Sequence, residues 1–533
     1  MPTDLRRIKN ITLGTMCFAL FMVMLDSTVV NLALPTIQRE LNASMSELQW
    51  IVDAFVLALA SLLLTGGTLG DMYGRRKAFM TGVALFTAGS VACALAPSTS
   101  VLIAARLFQG VGGAMMMPST LSILTNTFPD ARERARAIGI WAGVSGLSLA
   151  IGPLVGGWLV DNFGWQSIFW INVPIGLIAI VMALRFVPES SDRAGRGLDL
   201  AGQVTAIIGL AALTYAFIEA NTYGWTSARI LTSFIVAGVS LAAFLVIEVR
   251  GTTPLLQLKF FRNWTFSGAN LVGVIVSFGF FSVVFFLSLF LQNVQGYSPT
   301  RAGALQLPTT LGVMTAAIVS GRIVGRIGSR LPITLGLVMA GTGLLFLTGV
   351  QPDTPYSAFW YWLLLMGLGI GLIMSPMTSA IMGTVPPARA GMASATSNTM
   401  RQVGSVFGIA VLGNVVTHVF TSDLRTSLAA FKLPPAVAAK ILAVAGQGRE
   451  AASGHAIPGV DMAALGQVIG QSFTNGLHVA LWVSGILLLC GAPIAYLTVR
   501  YTAPHHVDQR HAAAAKAEAQ AAAGELETAG EAG

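Results

Sequence analysis

Long apolar segments recur along this chain from near residue 13 to residue 499, and short polar stretches separate them. Each segment has roughly 20 residues, enough for a helix to cross the hydrocarbon core of a bilayer. Every backbone amide in that core must be hydrogen-bonded within the protein, and the sequence lacks the short alternating segments of a membrane barrel. The pattern therefore predicts an all-α polytopic membrane protein.

We predict fourteen transmembrane helices. The first eight lie near residues 13–35, 48–70, 78–96, 101–124, 136–160, 165–186, 199–220 and 228–248. The last six lie near residues 264–290, 301–324, 331–350, 357–384, 393–420 and 474–499. The first apolar run is too long for the core of a signal peptide and no small-residue cleavage site follows it, so we interpret it as span 1.

Composition supports this interpretation, because 54% of the 533 residues are hydrophobic, 10% are charged and the mean hydropathy is +0.72. A soluble chain of this length would carry far more charge. The net charge of +8 does not indicate nucleic-acid binding, since the basic residues lie between the spans. Cys17, Cys93 and Cys490 all lie in apolar runs, and an odd, buried set argues against a disulfide framework.

Charge asymmetry sets the expected orientation. The short predicted outer loops contain only three arginines, which are Arg39, Arg229 and Arg301. The predicted cytoplasmic segments contain Arg6, Arg7, Lys9, Arg75, Arg76, Lys77, Arg132, Arg134, Arg136, Arg185, Arg193, Arg196, Arg250, Lys259, Arg262, Arg322, Arg326, Arg330 and Arg389. The positive-inside rule then predicts that both termini are cytoplasmic, in the cytoplasmic (inner) membrane of a bacterium.

The chain also repeats itself. Gly67, Gly74 and Arg76 match Gly321, Gly328 and Arg330 at an offset of 254 residues, and the pairs Gly110/Gly112 and Gly367/Gly369 match at 257. Duplicated halves of this kind are typical of alternating-access transporters. We predict a six-helix bundle in 1–187, a polar linker and two extra helices in 188–250, and a second six-helix bundle in 251–499. The long outer segment 421–473 is expected to form a short helical hairpin, and 500–533 a disordered cytoplasmic tail.

Several motifs resemble those of a known family. The segment from Gly67 to Lys77 resembles the loop signature of the major facilitator superfamily, Arg106 to Gly112 resembles its span-4 signature, and Gly152 to Gly157 resembles the span-5 signature of its antiporters. Three further segments are similar to signatures of the fourteen-span drug:proton antiporters: Leu25 to Pro35, Trp165 to Gly176 and Asn398 to Gly404. One position departs from the repeat, because the acid at Asp71 is replaced by Gly325 in the second half.

The resemblance implies proton-coupled export of small amphipathic compounds, including cationic ones, by alternating access. No phosphate-binding GxxxxGK[ST] segment occurs in the sequence, so we expect the proton motive force to drive transport, with no cofactor, no metal and no catalytic residues. The chain is expected to function as a monomer. Two alternatives stay open: export of a self-made antibiotic, a lipid or another metabolite, and a membrane receptor or scaffold that transports nothing.

Three charged residues within the spans are candidates for proton coupling. Asp26 in span 1 and Asp53 near the start of span 2 lie toward the predicted outer face, and Arg106 in span 4 lies at a similar depth. A carboxylate at that depth is costly unless it faces a cavity or a partner. Asp26 could instead be a structural hydrogen-bond anchor, Asp53 could complement its helix dipole, and Arg106 could form a fixed ion pair.

Other motif residues have conformational interpretations. Gly67, Asp71, Gly74, Arg75 and Arg76 are expected to latch an inner gate, although charge retention alone would explain the arginines. The resemblance implies a tight, leak-proof contact at the antiporter motif, whose residues are Gly152, Pro153, Gly156 and Gly157. Ordinary close packing is the alternative.

The remaining candidates concern substrate contact. Asn31, Gln109, Met115 and Met116 are candidates for a pliable substrate pocket, although at least one methionine of the Met115–Met117 triplet must pack elsewhere. Glu219 at the outer end of span 7 is expected to be a solvated interfacial acid. Arg401, near the inner end of span 13, is expected to snorkel to the cytoplasmic surface.

Overall fold

The computed structural model describes residues 3–191, 199–251, 256, 258–385, 390–429, 438, 441–442 and 462–500. The helices of the first part are α1 (Thr3–Leu41), α2 (Met45–Tyr73), α3 (Arg75–Ala94), α4 (Thr99–Thr127), α5 (Ala131–Phe163), α6 (Ser167–Trp170), α7 (Asn172–Phe186), α8 (Leu200–Tyr223) and α9 (Ala228–Arg250). The second part contains α10 (Trp264–Leu289), α11 (Pro299–Leu305), α12 (Leu307–Ile327), α13 (Arg330–Leu347), α14 (Trp360–Met382), α15 (Ala390–Ala429) and α16 (Met462–Thr498).

The membrane-spanning helices agree with the predicted number. Thirteen helices in the described part are long and apolar enough to cross a bilayer, and α5 completes fourteen as a pair of segments bent by 43° between residues 148 and 151. Pro153 accounts for the bend, because its ring nitrogen cannot donate a hydrogen bond to the preceding turn. The protein is therefore a multi-pass membrane protein.

The segment 421–473 differs from the prediction at both of its ends. Helix α15 continues to Ala429 and α16 already begins at Met462, so residues 421–429 and 462–473 extend two long helices beyond the predicted spans. Phe420, Leu424 and Leu465 form a small apolar cluster between these extensions. Most of the expected hairpin, the linker residues 192–198 and the tail 501–533 lie outside the described residues.

Two helical bundles carry equivalent contacts. In the first, Gly110 of α4 abuts α2 at Phe55, and Gly112 abuts α3. In the second, Gly367 of α14 abuts α12, and Gly369 abuts α13. The same pair of glycines thus brings a central helix against two neighbours in each half, which gives the sequence repeat a structural basis.

Helix α8 lies across the seam between the bundles, packing against α2 of the first and α15 of the second, while α9 packs mainly against α8. Trp50 of α2 donates from Nε1 to Glu219 Oε1 at 3.1 Å, so Glu219 is not the purely solvated acid that the sequence suggested. The Asn221 amide donates to the carbonyl of Asn414 at 2.7 Å, and the Asn414 amide donates to the carbonyl of Phe217 at 3.0 Å. Helix α8 therefore bridges the two bundles.

The ends of the molecule differ in charge and in packing. We call the end with Arg75 and Arg76 the basic end, and the end where α1 joins α2 the far end. At the far end the bundles touch, because Ser288 of α10 donates to the carbonyl of Asn31 at 2.6 Å. The π-helical turn Phe290–Val294 contributes two further hydrogen bonds to this contact. The side-chain amide of Gln292 donates to the carbonyl of Leu32 at 3.1 Å, and that of Asn293 donates to Oε1 of Gln38 at 3.0 Å.

The contacts along one face of α5 differ between the two ends. Near the far end, Gly157 contacts the Pro299 carbonyl and Pro153 contacts Gly303, which joins α5 to α11 of the second bundle. Toward the basic end, Gly139, Gly143 and Gly146 continue the same helical stripe, and a side chain added at any of them would meet open space. Among the described residues, α5 is therefore closed against the second bundle at the far end and parted from it toward the basic end.

This packing predicts opposite effects for two glycine substitutions on α5. Gly157→Val should separate the far-end seam, because a side chain there overlaps the Pro299 carbonyl. Gly143→Val should obstruct closure at the basic end and hold the far end shut. A cysteine at position 288, in a background without native cysteines, should react faster with an impermeant maleimide in the first variant and more slowly in the second.

Gly238→Val is the matched control, since Gly238 on α9 also faces open space and touches neither bundle seam. Its labelling rate should equal that of the parent. Equal rates for Gly157→Val and Gly143→Val would contradict the two-ended interpretation of α5.

Candidate functional site

A buried ion pair lies at the centre of the first bundle. Nη1 of Arg106 on α4 donates to Oδ2 of Asp26 on α1 at 2.5 Å, and the two side chains are 0% and 1% exposed. Burying two charges costs several kcal/mol of desolvation unless hydrogen bonds satisfy the remaining groups. The surroundings of each partner therefore decide how this pair is tolerated.

Arg106 is satisfied from several directions. Its Nε donates to the Ile51 carbonyl of α2 at 3.0 Å, and Nη1 also donates to Oε1 of Gln109 at 2.7 Å. The guanidinium carbon lies 4.4 Å from the ring centroid of Phe55 and 5.8 Å from that of Phe169, distances that allow cation–π attraction. Nη2 has no hydrogen-bond partner among the described residues.

Asp26 is satisfied by side-chain amides. Its Oδ1 accepts from Nε2 of Gln109 at 2.9 Å and from Nδ2 of Asn172 at 3.0 Å. The same two amides also donate to the hydroxyl of Ser90 at 2.9 and 3.3 Å, and Ser90 in turn donates to the carbonyl of Phe86 at 2.8 Å. The network joins α1, α3, α4 and α7, so the position of the Asp26 carboxylate depends on the packing of the whole first bundle.

Asp53 lies apart from this network, although the sequence suggested a cluster of all three charges. It is 0% exposed, it forms no ion pair in the described structure, and neither carboxylate oxygen has a hydrogen-bond partner there. Gln49, one helical turn earlier on the same side of α2, donates to the carbonyl of Ile409 on α15 at 3.2 Å. Asp53 thus lies on the side of α2 that faces the second bundle, whereas Ile51 and Phe55 face Arg106.

The predicted gate motif forms the junction between α2 and α3. Gly74 has φ +119°, a conformation that glycine adopts readily and other residues rarely do, and it ends α2 and begins α3. Asp71 accepts from Nε of Arg75 at 2.8 Å within this turn. Gly67 packs against Pro118 of α4.

A residue that we did not predict holds this junction in place. The carboxylate of Glu189, just after α7, accepts from the backbone N–H groups of Arg76 and Lys77 at 2.9 and 3.2 Å, which are free donors at the start of α3. Arg76 Nη1 also donates to the Val187 carbonyl at 3.1 Å. The chain after α7 is therefore fastened to the gate motif through a helix N-terminus, where a negative charge is favourable.

The antiporter motif packs in two directions. Gly152 and Gly156 contact Thr28 and Val29 of α1, while Pro153 and Gly157 contact α11. The motif therefore joins the helix that contains Asp26 to the far-end seam. Any motion that parts α5 from α11 would act on α1 directly.

The four pocket candidates lie in different environments. The amide of Asn31 donates to the Ser27 carbonyl at 3.3 Å, and its main-chain carbonyl belongs to the far-end seam. Gln109 belongs to the ion-pair network, and Met116 is fully buried against Gly82 of α3, so neither side chain faces a cavity in this conformation. Met115 is partly exposed on α4.

Ser90 and Asn172 were not predicted as members of the Asp26 network. Asn172 lies in a motif that carried the family resemblance, and this was the one available signal for it. Ser90 had no such signal, because a serine in an apolar span commonly donates to the preceding turn, as this one also does. Only the packing of α3 against α4 brings it to Gln109.

The ion pair predicts a non-additive effect on stability. Asp26→Leu leaves the Arg106 guanidinium buried without its carboxylate, which should cost about 3–5 kcal/mol of unfolding free energy. The double variant Asp26→Leu/Arg106→Leu should lose less than the sum of the two single variants, measured by unfolding of the purified protein in detergent. Additive losses would contradict a coupled pair.

Comparison with known proteins agrees with this architecture. Residues 16–409 match the model of the Major Facilitator Superfamily. The multidrug resistance protein Stp of Mycobacterium tuberculosis is 39% identical over 80% of this chain and 79% of its own. The tetracenomycin C resistance and export protein of Streptomyces glaucescens is 36% identical over 91% of each chain.

Two further matches bear on function and on fold. The methylenomycin A resistance protein of Streptomyces coelicolor is 40% identical over 75% of this chain and 84% of its own. The inward-facing, unoccupied crystal structure of a bacterial homologue of the lysosomal transporter Spinster superposes with a TM-score of 0.63 at 18% identity, covering 92% of this chain and 97% of that one. The predicted family is confirmed: this chain belongs to the Major Facilitator Superfamily, among transporters of the multidrug and antibiotic resistance type.

Proposed function

We propose that this protein exports small amphipathic drugs or antibiotics across the bacterial cytoplasmic membrane in exchange for protons. The relatives' names support drug export, and they include both multidrug proteins and proteins named for one antibiotic. In this proposal the basic end is cytoplasmic, as the positive-inside rule favours, and both termini lie on that side. The opening between the bundles then faces the cytoplasm, from which substrate enters.

The observation that supports proton coupling most strongly is the environment of Asp53. A carboxylate that is buried without a hydrogen-bond donor among the described residues is costly to charge, and binding a proton removes that charge. Asp26 is in the opposite situation, because Arg106, Gln109 and Asn172 all donate to it and compensate for its burial. We therefore assign the transported proton to Asp53 and a structural, charge-holding role to the Asp26–Arg106 pair.

Alternating access then links Asp53 to the seam between the bundles. In the conformation described here the far-end contacts keep external water from Asp53, which corresponds to a state that has loaded a proton and awaits substrate. Entry of substrate between the parted ends would expose or displace the proton toward the cytoplasm. Closure of the basic end and opening of the far end would release the substrate outside and give Asp53 access to a new proton.

The motif residues act on this exchange through packing. Gly152 and Gly156 transmit movement at the α5–α11 seam to α1, and the junction held by Gly74, Asp71 and Glu189 keeps α2 and α3 moving as one unit. The coupling is reciprocal, since any conformational change that alters proton affinity must also be driven by proton binding.

This assignment predicts different outcomes for two isosteric changes. Asp53→Asn imitates the protonated acid, so the variant should fold normally and exchange substrate down its gradient but lose proton-driven accumulation by at least about tenfold. Asp26→Asn removes the charge that faces Arg106 and should lower thermal stability as well as transport. Everted vesicles with ethidium as substrate and a pH-sensitive dye measure both activities.

Asp353→Asn is the matched control, because Asp353 is exposed in the loop before α14 and should leave transport unchanged. The assignment fails if Asp53→Asn retains full proton-coupled export, and in that case the coupling acid lies elsewhere.

A further inference from the structure

Arg401 is a second cation within the membrane, and it belongs to the other bundle. It lies eleven residues after Ala390, the first residue of α15, or about 16 Å along the helix at roughly 1.5 Å per residue. Its stem passes over Gly273 of α10, where an added side chain would come within 3.2 Å of Cγ, and its Nη1 lies 3.9 Å from the sulfur of Met374 on α14. The side chain therefore contacts both α10 and α14, and it is partly exposed.

The second bundle offers this guanidinium no carboxylate. Helices α10 to α14 and α16 contain no Asp or Glu, and the acid of α15, Asp423, lies 22 residues beyond Arg401, or about 33 Å along the helix. Among the described residues Arg401 forms no ion pair, and the Met374 contact is its one side-chain hydrogen bond. Arg106, in contrast, donates to the carboxylate of Asp26 and to the amide oxygen of Gln109.

The surroundings of Arg401 combine soft apolar groups with one unsatisfied polar group. Met377 reaches the same glycine, with its sulfur 3.3 Å from the position that a Gly273 side chain would take. Asn270, one turn earlier on α10, is 1% exposed, and its Oδ1 has no hydrogen-bond partner in the described structure. Methionine side chains adapt to apolar bodies of varied shape, and the unpartnered Oδ1 of Asn270 can accept a hydrogen bond from a hydroxyl substituent.

From this arrangement we infer that Arg401 is the anchor of an anion subsite, which takes the carboxylate or acidic enol of an amphipathic organic acid while the partly exposed Met374 contacts its apolar body. A guanidinium presents a planar fork of donors that matches a carboxylate, and such charge-assisted pairs gain strength where water is excluded. The inference rests on the proposed export function and names its substrate class. Organic acids, and not only neutral or cationic drugs, are then substrates of this pump.

A purely structural role explains less. An arginine that only packed α15 against α10 and α14 would leave its charge unpaired at this depth, at a cost that a leucine or methionine would avoid. Gly273 makes room for the stem of the arginine, so the local packing is arranged around a cation that has no protein counterion in the described structure.

A matched ligand pair tests the subsite. 1-Pyrenebutyrate and its methyl ester share one apolar body and differ in charge, and energy transfer from tryptophan to pyrene reports binding to the purified full-length protein. The parent protein should bind the carboxylate at least about tenfold more tightly than the ester. In Arg401→Gln this ratio should fall to about one, and in Arg401→Lys, which keeps the charge but loses the fork, it should take an intermediate value.

Arg326→Gln is the control for general positive potential, because Arg326 is exposed in the last turn of α12. It should keep the full ratio. Absence of a preference in the parent, or an undiminished preference in Arg401→Gln, would overturn the subsite. If Arg401→Gln does not remain monodisperse, Arg401→Lys decides by the same ratio.

Proton-driven ethidium export in everted vesicles separates this inference from the proposed function. Export that persists in a parent protein without anion preference overturns the subsite alone. Loss of proton coupling in a parent that still prefers the carboxylate overturns the antiport mechanism and supports the subsite.

Discussion

The buried pair of Arg106 and Asp26 constrains the first bundle more than any other interaction. Burying a charge in this interior is costly, and a counterion with further hydrogen bonds offsets much of that cost. The carbonyl of Ile51, the amides of Gln109 and Asn172 and the hydroxyl of Ser90 therefore have to be positioned together. Helices α1, α3, α4 and α7 are held to one another by this requirement, and so the first bundle can move as a rigid unit.

If each bundle is rigid, the difference between the two ends can arise from a rocking of one bundle against the other. The far-end seam consists of hydrogen bonds to carbonyls and of glycine contacts along α5 and α11, which can separate without disrupting a bundle core. Asp53 lies beside the seam and outside the ion-pair network, on the side of α2 that faces α15. A rocking motion therefore changes the surroundings of Asp53 while leaving the pair of Asp26 and Arg106 intact.

Sequence reasoning reached the fold and about half of the site. The spans were predictable because hydrocarbon requires long apolar helices, and the pairing of Asp26 with Arg106 was one of the alternatives that two intramembrane charges of similar depth suggest. The separation of Asp53 was not predictable, since it depends on which side of α2 faces which bundle. Glu189 was not predicted because it accepts hydrogen bonds from the backbone of α3, and no side-chain pattern predicts such a contact. The segment 421–473 was predicted as a separate short hairpin, whereas its two ends continue the neighbouring helices, because polar residues can extend a helix beyond the membrane.

The two bundles arise from a repeated sequence but contain different charged residues within their spans. The first retains the acids and a cation whose charge is satisfied internally, and the second retains a cation with no acid in its spans. Asp53 is thus a carboxyl group on the side of α2 that faces the second bundle, and Arg401 is a guanidinium that contacts α10 and α14. Because Asp53 is neutral when protonated and negative when not, the electrostatic potential felt by an anion near Arg401 rises on protonation and falls on release.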